Sequence, residues 1–222
     1  MSGPGDRPAA VLFDLDGTLA DTAADLCASA NAMRDEHGLP PIPLAQFRPW
    51  VSRGGRAMLD LAFAHMDDEA RAQLLAPFLA RYAESPCVHT RLFPGLGALL
   101  DRFEALGMRW GIVTNKPFHL AEPVVAGLGL AARCGVLIGG DSLPAKKPDP
   151  MQLNVACARL DVAAASCIYV GDDRRDVMAA RAAGMTSVAV RWGYLAPDDP
   201  IESWGADHLV DSAQSLAAVC GL

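Results

Sequence analysis

No apolar run in the 222-residue sequence approaches the roughly 20 residues needed to cross a bilayer, so no membrane partner is expected. Positive charge is also scarce: 19 Lys and Arg stand against 26 Asp and Glu, giving a net charge of -7 and a pI near 5.1. Nucleic-acid backbones are gripped mainly by clustered Lys and Arg, so a nucleic-acid partner is not expected either. The six cysteines (Cys27, Cys87, Cys134, Cys157, Cys167, Cys220) form no C-x-x-C pair and have no His at metal-ligand spacing, which argues against zinc. Unclustered cysteines and an N-terminus without a signal-peptide pattern imply reduced thiols and a cytoplasmic location.

What is present is a 51% hydrophobic, 20% charged composition, that of a folded globular chain. Short apolar runs recur, each ending in polar or acidic residues: 9–13 into Asp14, 109–113 into Thr114-Asn115, 136–138 toward Asp141, 167–170 into Gly171-Asp172, and 186–190 into Arg191. Runs without alternation are the mark of parallel strands covered on both faces. Helical spacing fills the intervals (Leu96, Leu99, Leu100, Phe103; Leu153, Val155, Ala156, Leu160; 177–183). Together they predict an α/β fold, a doubly wound parallel sheet whose ligands bind beyond the carboxyl ends of the strands.

Residues 20–88 break the alternation. No strand is expected there, but helices are, over 21–37, 44–50, 56–64 and 69–82. An insert placed right after the first strand would stand over the strand tips as a helical cap (20–88) on an α/β core (1–19 and 89–222). Glu84-Ser85-Pro86 and Phe93-Pro94-Gly95 are the expected hinges. Gly95-Leu96-Gly97 begins like a dinucleotide fingerprint but lacks its last glycine and does not follow the first strand, so it is a helix start.

The first apolar run leads into Asp14-Leu15-Asp16-Gly17-Thr18-Leu19-Ala20-Asp21-Thr22. Side chains two apart on a strand face the same way, so Asp14 and Asp16 project together. Two carboxylates this close repel, and a divalent cation with oxygen ligands, magnesium, resolves the repulsion. Gly17 permits a tight turn close to a ligand. Three further elements follow at other strand tips: Thr114-Asn115, donors for phosphate oxygens; Lys147, a cation beside the rigid Pro148; and Gly171-Asp172-Asp173-Arg174-Arg175-Asp176, more carboxylates. Each alone reads as an ordinary turn or solvated charge, but their convergence in this order does not. In the insert, Arg53-Gly54-Gly55-Arg56 precedes a helix. It reads either as a plain turn with solvated arginines or as an anion site, the arginines gripping a carboxylate.

These four motifs resemble those of the haloacid dehalogenase superfamily over essentially the whole chain, and D-x-D-G-T-L-x-D-T followed by a helical insert is similar to its phosphoglycolate phosphatase-like branch. The resemblance implies Asp14 as a nucleophile that forms an aspartyl-phosphate, and Asp16 as the acid that protonates the leaving alkoxide and then the base that activates water. It implies magnesium held by Asp14, the main-chain carbonyl of Asp16 and Asp172, with support from Asp176. Thr114 and Lys147, with Gly17, Thr18, Asn115 and Lys116 around the substrate, would neutralise the phosphoryl oxygens. Dehalogenases of the superfamily lack a carboxylate equivalent to Asp16, so its presence implies a phosphate ester.

A closer likeness lies in Ala32-Met33-Arg34, Gly38-Leu39-Pro40-Pro41-Ile42, Cys87-Val88-His89, Trp110 to Pro117, Ala121-Glu122-Pro123 and Trp204-Gly205-Ala206-Asp207. These stretches resemble the N-acetylmuramic acid 6-phosphate phosphatases of cell-wall recycling. Trp110 is expected in the core rather than as a sugar platform, and Lys116 and His89 as residues that could reach substrate. The expected partner is therefore a small phosphorylated metabolite that also bears a carboxylate, the protein being a monomer or homodimer. A sugar phosphomutase and a non-catalytic phospho-ligand-binding protein are the alternatives.

Overall fold

A computed structural model describes residues 7–222. β1 (Ala10–Phe13) is buried along its whole length. Val11 and Phe13 join one apolar cluster and Ala10 and Leu12 a second, which is why the strand carries no polar alternation. The chain then forms β2 (Ala20–Asp21), α1 (Ala23–Glu36), α2 (Leu44–Phe47), α3 (Gly55–Ala62), α4 (Asp68–Gln73), α5 (Leu75–Glu84) and β3 (Arg91–Leu92). It continues through α6 (Leu96–Ala105), β4 (Arg109–Val113), α7 (Phe118–Gly127), β5 (Leu137–Ile138) and α8 (Met151–Leu160). β6 (Cys167–Gly171), α9 (Arg174–Ala182), β7 (Thr186–Val190), β8 (His208–Val210) and α10 (Ala213–Val219) complete it.

Six strands form one parallel sheet in the order β5-β4-β1-β6-β7-β8, the expected doubly wound α/β architecture. Phe13 is paired with Ile112 on one side and Val170 on the other. This register sets the carboxyl ends of β1, β4 and β6 next to one another, although they are far apart in sequence. Trp110 is buried in the core, its indole N–H donating to Glu104 Oε1 at 3.0 Å.

Three local features depart from the sequence expectation. Ala20–Asp21 is a strand, paired antiparallel with Arg91–Leu92 where the inserted helices leave and return; two residues are too short to show a period. The helix expected over 69–82 is two helices meeting at Leu74. Pro77 has no N–H to donate and its ring would meet the carbonyl of Gln73 in a continuous helix, so it is tolerated only in the first turn of a new one. β8 was not expected, because His208 and Leu209 on this edge strand are exposed and form no apolar run.

The inserted helices do not stand apart from the sheet. Phe47, Phe63, Phe78 and Tyr82, all fully buried, belong to the same apolar cluster as Phe13 and Ile112. Among the described residues no helix is long and apolar enough to cross a membrane.

Candidate active site

Asp14, Asp172 and Asp176 each bring a carboxylate oxygen within 4.8 Å of the others, and all three are buried. Asp14 extends β1, its amide still bonded to Val170 O at 2.9 Å. Asp172 follows β6 and is held from three directions: Thr18 Oγ1 donates to Oδ1 at 3.1 Å, while Tyr194 N and Ser52 Oγ each donate to Oδ2 at 2.8 Å. Asp176 sits in the first turn of α9, where its Oδ2 accepts from Asp173 N at 3.1 Å and closes a capping box.

Lys147 reaches into this cluster from the loop before α8. Its ammonium, itself buried, donates to Asp176 Oδ1 and Tyr169 Oη, both at 2.7 Å. It also lies 3.0 Å from Asp14 Oδ1, an ionic contact out of hydrogen-bond alignment, so that buried oxygen has no hydrogen-bond donor among the described residues. Burial alone would lower the lysine's pKa, but Asp14 and Asp176 outweigh it and keep the ammonium charged. Burial, and then the charges of Asp14 and Asp176, push Asp172 well above the carboxylate range. Burial lifts Asp176 to about 7 against the pull of Lys147. Three crowded buried carboxylates share the single ammonium of Lys147, and one of their oxygens has no hydrogen-bond donor among the described residues, so positive charge is in deficit. An all-oxygen donor set suits a hard divalent cation, so these residues fit magnesium.

Asp16 faces the same space from the turn after β1. Its Oδ1 accepts from Thr22 Oγ1 at 2.5 Å, and Lys116 Nζ donates to Oδ1 and Oδ2 at 3.0 and 3.2 Å. Thr114, at the tip of β4, is buried beside the cavity, and its Oγ1 accepts from Lys116 N at 3.2 Å. Asn115 turns its Nδ2 to the carbonyl of Lys147 at 2.9 Å, tying two strand-tip loops together. Gly17 and Thr18 lie beneath the site rather than in its wall. A Cβ on Gly17 would come within 2.2 Å of Asp172 Oδ2, so the turn passes the carboxylate at a distance only glycine allows.

A cavity of about 390 Å³ opens above these groups, with Asp14, Asp16, Lys116 and Lys147 in its floor. Arg53, Gly54, Gly55 and Arg56, the loop leading into α3, are in its wall. Gly54 caps that helix at φ 91°, open to glycine and strained for other residues. Arg53 pairs with Asp198 and lies 5.3 Å over the Trp50 ring. Arg56 is exposed and makes no ion pair among the described residues.

A sequence model of the family described as haloacid dehalogenase-like hydrolase matches residues 11–190. The chain belongs to that family. A phosphoglycolate phosphatase of Xanthomonas campestris pv. campestris is 56% identical over 210 residues, 94% of this chain and 95% of its own. An N-acetylmuramic acid 6-phosphate phosphatase of Pseudomonas putida is 46% identical over 222 residues, 97% and 99% of the two chains. A crystal structure described as a predicted phosphoglycolate phosphatase from Haemophilus somnus superposes with a TM-score of 0.83 at 26% identity, covering 99% of this chain and 100% of its own.

In this haloacid dehalogenase-like hydrolase, several site residues escaped the sequence reading. Tyr194 binds Asp172 through its amide, while its hydroxyl accepts from Thr22 N and Ala23 N and donates to Asp21 Oδ1. Its place just beyond the fifth apolar run was the available signal. Arg175 pairs with Asp173 and donates to the carbonyl of Ser52, joining α9 to the arginine loop. Tyr82, on α5, lies under Lys116; nothing local in the sequence marks it. His89 is exposed, and its amide donates to Asp25 Oδ1 at 2.9 Å.

Proposed function

We propose that this phosphatase hydrolyses a small phosphate monoester that also bears a carboxylate, with N-acetylmuramic acid 6-phosphate as substrate and magnesium as metal. The observation that carries the reading is the buried Asp14 carboxylate, set between Lys147 and two further aspartates on the floor of a cavity whose wall bears Arg53 and Arg56. Cavity size and lining favour a sugar acid: a space of about 390 Å³ with Leu26, Leu75, Leu79 and Tyr82 in its wall exceeds what a two-carbon ester fills. The greater likeness to a protein named phosphoglycolate phosphatase supports phosphoglycolate as the second reading.

Asp14 attacks phosphorus and becomes an aspartyl-phosphate while the ester oxygen leaves. Asp16 gives that oxygen its proton, then takes one from the water that splits the acyl phosphate. The Lys147 ammonium and the Thr114 hydroxyl hold phosphoryl oxygens, and Asn115 keeps the Lys147 loop in place through the lysine's carbonyl. Asp14, the carbonyl of Asp16 and Asp172 would hold magnesium, with Asp176 in support. When bound, the ion supplies positive charge opposite the carboxylates and the phosphoryl oxygens. Residues 20–88 act as the cap over a core of residues 1–19 and 89–222. In the closed position Ser52 and Arg175 bridge the two parts and water is excluded. Arg53 and Arg56 take the substrate carboxylate. Such a substrate places the enzyme in cell-wall recycling.

The test is phosphate release from N-acetylmuramic acid 6-phosphate and phosphoglycolate, side by side, with and without magnesium. A kcat/KM at least about a hundredfold higher for the sugar acid, roughly 2.7 kcal/mol of differential transition-state binding, is expected, and Asp14→Asn should abolish turnover of both. The reverse preference would establish the second reading. A fully active Asp14→Asn protein would sink the mechanism.

A further inference from the structure

Lys116 is a buried cation between the two parts of the molecule. Its side chain is only 5% exposed. Its backbone belongs to the loop after β4, where its amide donates to Thr114 Oγ1 and its carbonyl accepts from Gly140 N at 2.8 Å. The ammonium reaches both carboxylate oxygens of Asp16 and stands 4.4 Å from the ring centroid of Tyr82. Tyr82 is fully buried on α5, with its hydroxyl donating to Pro86 O at 3.2 Å where the insert turns back.

A lysine ammonium has three N–H donors. Here they face two carboxylate oxygens and an aromatic ring, so the protein itself occupies the group that the sequence suggested for substrate. Thr22 touches only Oδ1 of Asp16. Without Lys116, nothing among the described residues fixes Oδ2, and the carboxylate is free to turn about its bond to Cβ.

We infer that Lys116, seated on the ring of Tyr82, is a positioning residue that aims the Asp16 carboxylate at the leaving oxygen, so that α5 of the cap sets the alignment of the acid in the core. The inference rests on the role given to Asp16 above. Its consequence is that cap closure and acid catalysis are one event: the ring that completes the seat of Lys116 arrives with α5.

An acid matters for an alkyl leaving group and far less for p-nitrophenolate, which departs unprotonated. The experiment compares an alkyl ester (N-acetylmuramic acid 6-phosphate or phosphoglycolate, whichever turns over faster) with p-nitrophenyl phosphate, in magnesium, across Asp16→Asn, Lys116→Met, Tyr82→Leu and the double variant Asp16→Asn/Lys116→Met. General acid catalysis contributes about a hundredfold or more, so Asp16→Asn is expected to lose at least that much more on the alkyl than on the aryl ester. Lys116→Met and Tyr82→Leu should lose about tenfold more kcat on the alkyl ester, with KM moved by less than about threefold. The double variant should be no worse than Asp16→Asn alone. Lys116→Arg and Tyr82→Phe, which keep the charge and the ring, should recover most of the loss. Should Tyr82→Leu not fold, the lysine variants and Tyr82→Phe carry the comparison. Equal losses on both esters for Lys116→Met, a rise in KM alone, or additivity in the double variant would overturn the inference while leaving the role of Asp16 intact. Equal losses on both esters for Asp16→Asn would overturn both.

Discussion

Asp25, on α1, accepts hydrogen bonds from the amide and the hydroxyl of Thr90 at 2.9 and 2.7 Å, which ties the first helix after β2 to the segment on which the chain returns to the sheet. The amides of Val88 and His89 donate to the same carboxylate at 3.1 and 2.9 Å. Burial pushes this carboxyl up, but the Thr90 hydroxyl, the His89 and Thr90 amides and the nearby His89 together hold it below the ordinary range.

A depressed folded-state pKa stabilises the fold above the unfolded value and loses that contribution as pH falls through the folded one. Asp25→Asn is therefore expected to cost about 1–3 kcal/mol at neutral pH and to flatten the fall in Tm below about pH 4. Calorimetric melting across pH checks it; parallel acid limbs for the two proteins would rule the clamp out.

Magnesium should stabilise the fold as well as support turnover. At a hundred times its Kd, an ion that binds only the folded protein adds about 2.7 kcal/mol, and a chelator should reverse the corresponding rise in Tm. Asp172→Asn neutralises one carboxylate of the buried cluster, so on the proposed metal site its Tm should barely respond to magnesium. An undiminished response would remove Asp172 from the metal site.

Arg56 lines the cavity wall and its guanidinium makes no ion pair among the described residues. Arg56→Ala should raise KM for a carboxylate-bearing ester by about tenfold to a hundredfold, the worth of a charge-assisted hydrogen bond of about 1.5–3 kcal/mol. KM for p-nitrophenyl phosphate, which offers no carboxylate, should move far less. Equal shifts on both esters would mean that Arg56 does not read the carboxylate.

Gly17 combines a φ of 80° with a Cβ position 2.8 Å from Tyr194 Cδ2 and closer still to Asp172. Gly17→Ala should destabilise the protein by about 1–3 kcal/mol through strain and overpacking and lower kcat with an alkyl ester by displacing Asp172. Urea unfolding and steady-state kinetics on the same preparation check it; a variant with wild-type stability would show that the turn relaxes freely.

The strands of the sheet interior were legible because each is covered on both faces: Ala10, Val11, Leu12 and Phe13 are all buried, so the run carries its own signature. β8 was not, because two of its three residues face solvent, and the pair β2 and β3 was too short for any period. The break at Leu74 was written in Pro77 but hidden under a continuous apolar pattern. Among the site groups, Asp14, Asp172 and Lys147 could be named because each ends or follows a strand or precedes a rigid proline. Thr18, expected around the substrate, donates its hydroxyl to Asp172 Oδ1.

By itself the sequence determined the chemistry that each strand tip carries and the order in which the tips arrive, since these depend on local patterns of burial and turn-forming residues. Only the tertiary structure decided which tips meet. The order β4-β1-β6 sets Thr114, Asp14 and Asp172 side by side, and parallel crossovers bring together residues that no local pattern relates. The same holds for Lys116, whose partners Asp16 and Tyr82 lie 100 and 34 positions away along the chain. A buried charge takes whatever partners the packing delivers, and packing is a property of the folded chain as a whole.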